Sequence, residues 1–274
     1  MRVAIPIAAC ALVLVALLPA AGLPARAQTG LATPPVLPAP GPGAAGISHE
    51  CQTPGIRISG EFPLPNVTKA LQSRKIIRIL AIGGSRTGGK ASLDGGYQAL
   101  IEAALERTIP GVDVQMIDRG VSGELAEQAS ERIKTEVALV RPDLVLWQVG
   151  THDALMHVPV DQIKSTVGTA IDWLKAHEVD VVLVGLHYLR RLAREQHYQS
   201  VRLALRTVAE EKHVLWIKRY DAMQLIDQAR RTAAGSAPNE FTQTEHGYEC
   251  LSEYIVRALV SGAFLRPPRP RPNG

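Results

Sequence analysis

The chain has 274 residues and a formal net charge of +4, which falls to +2 without Arg2 and Arg26 because no acidic residue precedes Glu50. So small a charge excludes the electrostatic footprint of a nucleic-acid partner. The length allows one α/β domain with a sizeable core once its two uncharacteristic ends are set aside.

Residues 1–27 have a secretory layout: Arg2 is a short basic start, 3–18 an apolar run, and Ala25-Arg26-Ala27 an A-x-A cleavage site. Pro6 and Pro19 bracket a run shorter than the roughly 20 apolar residues of a spanning helix. The expectation is a signal peptide and a mature chain that starts near Gln28, reaches the periplasm and meets the membrane only through export. Cys10 is then discarded. Residues 28–50 form a Pro/Gly/Ala-rich linker, nearly uncharged over 28–46 and without the apolar content to order itself. The domain spans 51–265, and 266–274 is a basic, Pro-rich tail. Cys51 and Cys250 survive processing, and an oxidising exported compartment favours their pairing as a disulfide.

Within the domain, short β-rich apolar runs occur at 76–82, 112–117, 144–149, 179–186 and 214–217. Such runs are the pattern of strands buried on both faces. Between them lie helical periods: Tyr97, Leu100, Ile101, Ala104 and Leu105, then Ile163, Val167, Ala170, Ile171 and Leu174. Leu251, Ile255, Ala258 and Leu259 mark a last helix. The alternation predicts right-handed crossovers and a five-stranded parallel sheet in a three-layer α/β/α sandwich. Ligands of such sheets bind beyond the carboxyl ends of the strands, which directs attention to 83–90, 119–123, 150–153, 187–194 and 218–221, and to the loop 235–244.

Gly84-Ser85-Arg86-Thr87-Gly88-Gly89-Lys90 fits the G-x-x-x-x-G-K part of a phosphate-binding loop. That motif needs Ser or Thr after the lysine to hold magnesium, and Ala91 stands there; no strand ends in a metal-binding Asp. Nucleotide is therefore not expected as a ligand. The alternative makes Ser85 a nucleophile at a strand end, with small neighbours leaving room for an acyl group.

On that alternative, Ile79-Leu80-Ala81-Ile82-Gly83-Gly84-Ser85-Arg86-Thr87 resembles the first block of the SGNH (GDSL) hydrolases, with Ser85 in the nucleophile's place. Arg119-Gly120-Val121-Ser122-Gly123 resembles the second block, whose glycine N–H contributes to the oxyanion hole; Gly123 matches it. The segment 143–153, ending Gly150-Thr151-His152-Asp153, resembles the third, with His152 where an Asn usually supplies the other oxyanion donor. Gly247-Tyr248 resembles the start of the helix that follows the catalytic Asp and His. Order and spacing match over about 76–260. The resemblance implies a flavodoxin-like SGNH fold, no cofactor, and an acylated glycan or lipid ester as ligand.

The pattern breaks at its acid–base pair. The family carries Asp-x-x-His shortly before the Gly-Tyr, and counting back from Gly247 puts Asn239 and Thr242 in those places. Asn cannot stabilise an imidazolium as a carboxylate does, and Thr has no proton-accepting nitrogen. Esterase activity is then expected to be weak or lost; the alternative is an active hydrolase with its base moved to His187 or His152, with His246 a third candidate. Tyr188, Arg190 and Arg191 form a basic, aromatic rim able to bind an anion or a glycan. The remaining histidines show no metal-ligand spacing, so no metal is expected.

Overall fold

The computed structural model describes residues 46–83, 96–234 and 244–265. Ser85, Asn239 and Thr242 lie outside them, as do residues 1–45 and 266–274.

Five parallel strands, β1 (Ile76–Gly83), β2 (Asp113–Gly120), β3 (Leu144–Gln148), β4 (Asp180–Val184) and β5 (Leu215–Ile217), form one sheet in the order β2-β1-β3-β4-β5. Among the described residues eight α-helices accompany them: α1 (Pro65–Ser73), α2 (Gly96–Thr108), α3 (Ala126–Val140), α4 (Thr151–Leu155), α5 (Val160–Ala176), α6 (Gln196–Glu211), α7 (Arg219–Ala234) and α8 (Glu245–Phe264). The chain steps one way from β1 to β2 and the other way from β2 onwards, so right-handed crossovers put α2 on one face and α3, α5 and α6 on the other. The packing agrees: α1 and α2 both touch α8, while α5 touches α3 and α6.

The three inner strands are the apolar runs of the sequence, with Leu80, Leu144, Val145, Trp147, Val182, Leu183 and Val184 fully buried. Each such side chain contributes about 1.5–3 kcal/mol of burial. The helical periods also face inward: Tyr97, Ile101 and Leu105 of α2, Ile163, Val167, Ala170, Ile171 and Leu174 of α5, and Leu251, Ile255 and Leu259 of α8 are all buried.

One strand departs from expectation. β2 is the sheet edge rather than a strand covered on both faces; Asp113 and Gln115 are exposed and Val114 between them is buried. Its outer N–H groups are occupied by α2, whose Glu106 accepts from Val114 N at 3.1 Å and Glu102 from Met116 N at 3.0 Å. Two glutamates one helical turn apart thus cover the edge with charge, which blocks pairing with another strand.

At the opposite end of the sheet α1 starts with Pro65 after Leu64, a residue that cannot cap. Asp180 of β4 supplies the missing acceptor, taking bonds from Asn66 N and Val67 N at 2.9 Å each and from Asn66 Nδ2 at 3.0 Å. Cys51 and Cys250 form a disulfide joining the start of the domain to α8.

Candidate active site

In a sheet of order 2-1-3-4-5 the strand sequence reverses between β1 and β3, and the crevice above that point is where ligands bind. A cavity of about 160 Å³ lies there. Ser122 and Gly123 after β2, Gln148 to His152 after β3, His187 after β4 and Tyr248 of α8 line it. Ser85 follows Gly83, the last residue of β1, by two residues.

Glycines set the close approaches. Gly83 has φ +119°, and a Cβ there would lie 2.0 Å from the carbonyl oxygen of Gln148. No other residue lets β1 leave the sheet so tightly against β3. Gly123 has φ +76°, and a Cβ on it would stand 3.5 Å from His152 Nε2. The structure therefore brings Gly123 and His152 face to face on the cavity wall. Asp153 is buried beneath and accepts from Ala126 N at 2.8 Å, at the start of α3. Burial raises its pKa, and the helix N-terminus it faces acts the other way. Asp153 thereby anchors α4, and with it His152, to the α3 layer.

His187 is held by a different set of groups. Its backbone N–H donates to Thr151 Oγ at 3.2 Å and its carbonyl accepts from the Tyr198 hydroxyl at 2.8 Å. Its Nε2 stands 2.9 Å from Arg219 Nη1 and 2.8 Å from Gln148 Nε2. A guanidinium only donates, so Nε2 is the acceptor and the ring proton sits on Nδ1. Desolvation, and then the charge of Arg219, push the His187 pKa well below its ordinary value.

The other candidates are placed elsewhere. His246 lies at the start of α8, with Nδ1 2.7 Å from Glu249 and Nε2 against Glu50, and hydrogen bonding to Glu50 raises its pKa. Tyr188 is buried edge-on against Tyr220, ring centres 5.3 Å apart, so its face is not offered to a sugar. Arg190 binds Asp227 at 3.0–3.2 Å through Nε and Nη2, and Arg191 is exposed. The basic rim is thus partly an internal ion pair, because Tyr188 and Leu189 are buried and Arg190 turns to Asp227.

Sequence reasoning missed Gln148, Tyr248 and Arg219 as members of the site. Arg219 lies in the segment after β5 already marked by its strand-end position. Its burial, and that of the tyrosines around it, depends on α8 lying across that end, which local pattern does not show. Tyr248 stacks on Tyr97 of α2 with ring centres 6.1 Å apart.

This sheet order, with a pocket above the reversal and glycines at the ends of β1 and β2, is a flavodoxin-like α/β arrangement that many chemistries share; the family match is what makes the chain an esterase- or lipase-like protein of the SGNH/GDSL class. The chain belongs to the Non-GDSL lipase-like family, whose model matches residues 50–264. An arylesterase of Vibrio mimicus is 30% identical over 101 residues, or 35% of this chain and 50% of that protein, so the match spans half of the relative's length. Solved structures share the fold. The acetyl xylan esterase AlAXEase has a TM-score of 0.56 at 18% identity over 67% of this chain and 100% of its own. Axe2, an acetylxylan esterase from Geobacillus stearothermophilus, has 0.55 at 18% over 67% and 94%. TesA has 0.53 at 17% over 66% and 97%.

Proposed function

We propose that this protein is an exported SGNH-type receptor for acyl esters of carbohydrate or lipid, centred on Ser85, whose own hydrolytic turnover is weak or lost. The observation that carries the reading is the state of His187. A nitrogen that already accepts from a buried guanidinium is a poor proton acceptor for a serine hydroxyl. His246 is engaged by two carboxylates, and His152 faces Gly123, where an N–H would meet an oxyanion. These contacts support the reading that replacement of the family's base by Thr242 goes uncompensated by His187 or His246. Losing such a base costs on the order of a million-fold in kcat in serine hydrolases. Fold relatives named as acetyl xylan esterases support an acetylated glycan as ligand. The disulfide supports an oxidising compartment outside the cytoplasm, in line with the secretory layout of residues 1–27.

Hydrolysis of p-nitrophenyl acetate by mature protein tests this. The unmodified protein should be nearly inert, and Asn239→Asp with Thr242→His together should raise the rate. Efficient turnover by the unmodified protein, abolished by Ser85→Ala and reduced several orders of magnitude by His152→Ala, would instead establish a relocated base.

A further inference from the structure

Behind the pocket wall stands a buried guanidinium that no carboxylate among the described residues balances. Arg219, the first residue of α7, is fully buried, and among the described residues it forms no ion pair. Its Nε and Nη2 have no hydrogen-bond partner among those residues either. Three half-buried arginines are answered by carboxylates: Arg132 by Glu124, Arg190 by Asp227 and Arg202 by Asp221. Removing a charge from water without a counter-ion costs several kcal/mol. Burial accordingly lowers the Arg219 pKa. Tyr97 and Tyr198 beside it supply no counter-charge near pH 7, since burial pushes both up to about 12. Glu124, the acid on the described pocket wall, is bound through both oxygens to Arg132 at 2.6–2.7 Å.

Two pocket residues touch this cation. Its Cζ lies 5.6 Å from the centre of the Tyr248 ring, and its Nη1 donates to His187 Nε2. That bond also orients Gln148, which must present its amide NH₂ to the unprotonated Nε2. A neutral imidazole that accepts from a guanidinium is polarised, so its remaining N–H is a stronger donor than that of a free imidazole.

We propose that the pocket binds a carboxylate group of its ligand, with His187 as neutral donor and Arg219 as a positioning residue supplying the buried counter-charge through it. The inference rests on the reading of this pocket as the ligand site. A volume of about 160 Å³ is below the ~300–1,000 Å³ of pockets for drug-sized ligands, so the group is small. It is either the short acid released from an ester or the carboxylate of an acidic sugar.

The test is imidazole ¹⁵N NMR of the whole mature protein at pH 7 and constant ionic strength, titrated with acetate, glucuronate and, as a neutral isostere, acetamide. His187 should carry its proton on Nδ1 in the free protein. Acetate or glucuronate should shift that signal, with acetamide binding at least tenfold more weakly; whichever acid binds identifies the source. Arg219→Met should reduce the preference for acid over amide to less than threefold. Should that variant not fold, the acid-to-amide comparison on unmodified protein decides alone. An equal response to acetamide, a proton on Nε2, or no shift with either acid overturns the inference. Ester hydrolysis by the same sample bears only on the ester reading, so the two can fail separately.

Discussion

Replacing Cys51 and Cys250 together by alanine should destabilise the domain by about 5 kcal/mol or somewhat more. The bridge closes a loop of 199 residues, for which the chain-entropy model gives about 5 kcal/mol at 25 °C. Both sulfurs are in the core, Cys51 2% exposed and Cys250 fully buried, so truncation adds a cavity cost on the order of 1 kcal/mol per site. Neighbouring contacts do not substitute for the bridge. The Tyr254 hydroxyl donates to the Cys51 carbonyl at 2.6 Å, and Ser48 N donates to Glu253 at 2.9 Å. Those bonds exist only in the folded state, whereas the bridge restrains the unfolded chain. For a domain of this size 1 kcal/mol moves Tm by about 2–4 °C, so the midpoint should fall by roughly 10–20 °C. Urea titration and thermal melting followed by circular dichroism measure the two quantities, and the variant should show the larger m-value because its unfolded chain expands further. Stabilities within about 1 kcal/mol of each other would refute the argument.

Gly83→Ala should cost at least about 3 kcal/mol, since the new methyl would stand 2.0 Å from a backbone oxygen at a positive φ; a urea midpoint equal to that of the unmodified protein would contradict it. Burial pushes the Asp180 pKa up to about 6 despite its three donors. Because the folded value exceeds the unfolded one of about 3.9, the stability this group contributes is complete below about pH 4 and is lost as pH rises through 6, by up to roughly 3 kcal/mol. Carboxyl ¹³C NMR reads the pKa directly, and Asp180→Asn should remove that part of the pH dependence.

How much could be read without coordinates follows from which interactions are local. Leu80, Val145 and Val182 lie in unbroken apolar runs, and a residue's hydrophobicity and spacing travel with the chain, so five strands, their parallel pairing and the helices of 97–105, 163–174 and 251–259 were legible. The same holds for strand ends, which drew attention to Gly123, His152, His187 and the segment containing Arg219, and for Cys51 and Cys250, the two cysteines within the domain. What the fold decided is which neighbours those residues meet. His187 reads as an available base on its own segment; its basicity is set by Arg219, thirty-two positions away and brought in by α7 following β5. Tyr188 reads as an aromatic rim and is buried against Tyr220, and β2 reads as an inner strand while the order β2-β1-β3 makes it an edge. Protonation, desolvation and edge position are properties of a residue's surroundings in space, and those surroundings are assembled from parts of the chain that no local window contains.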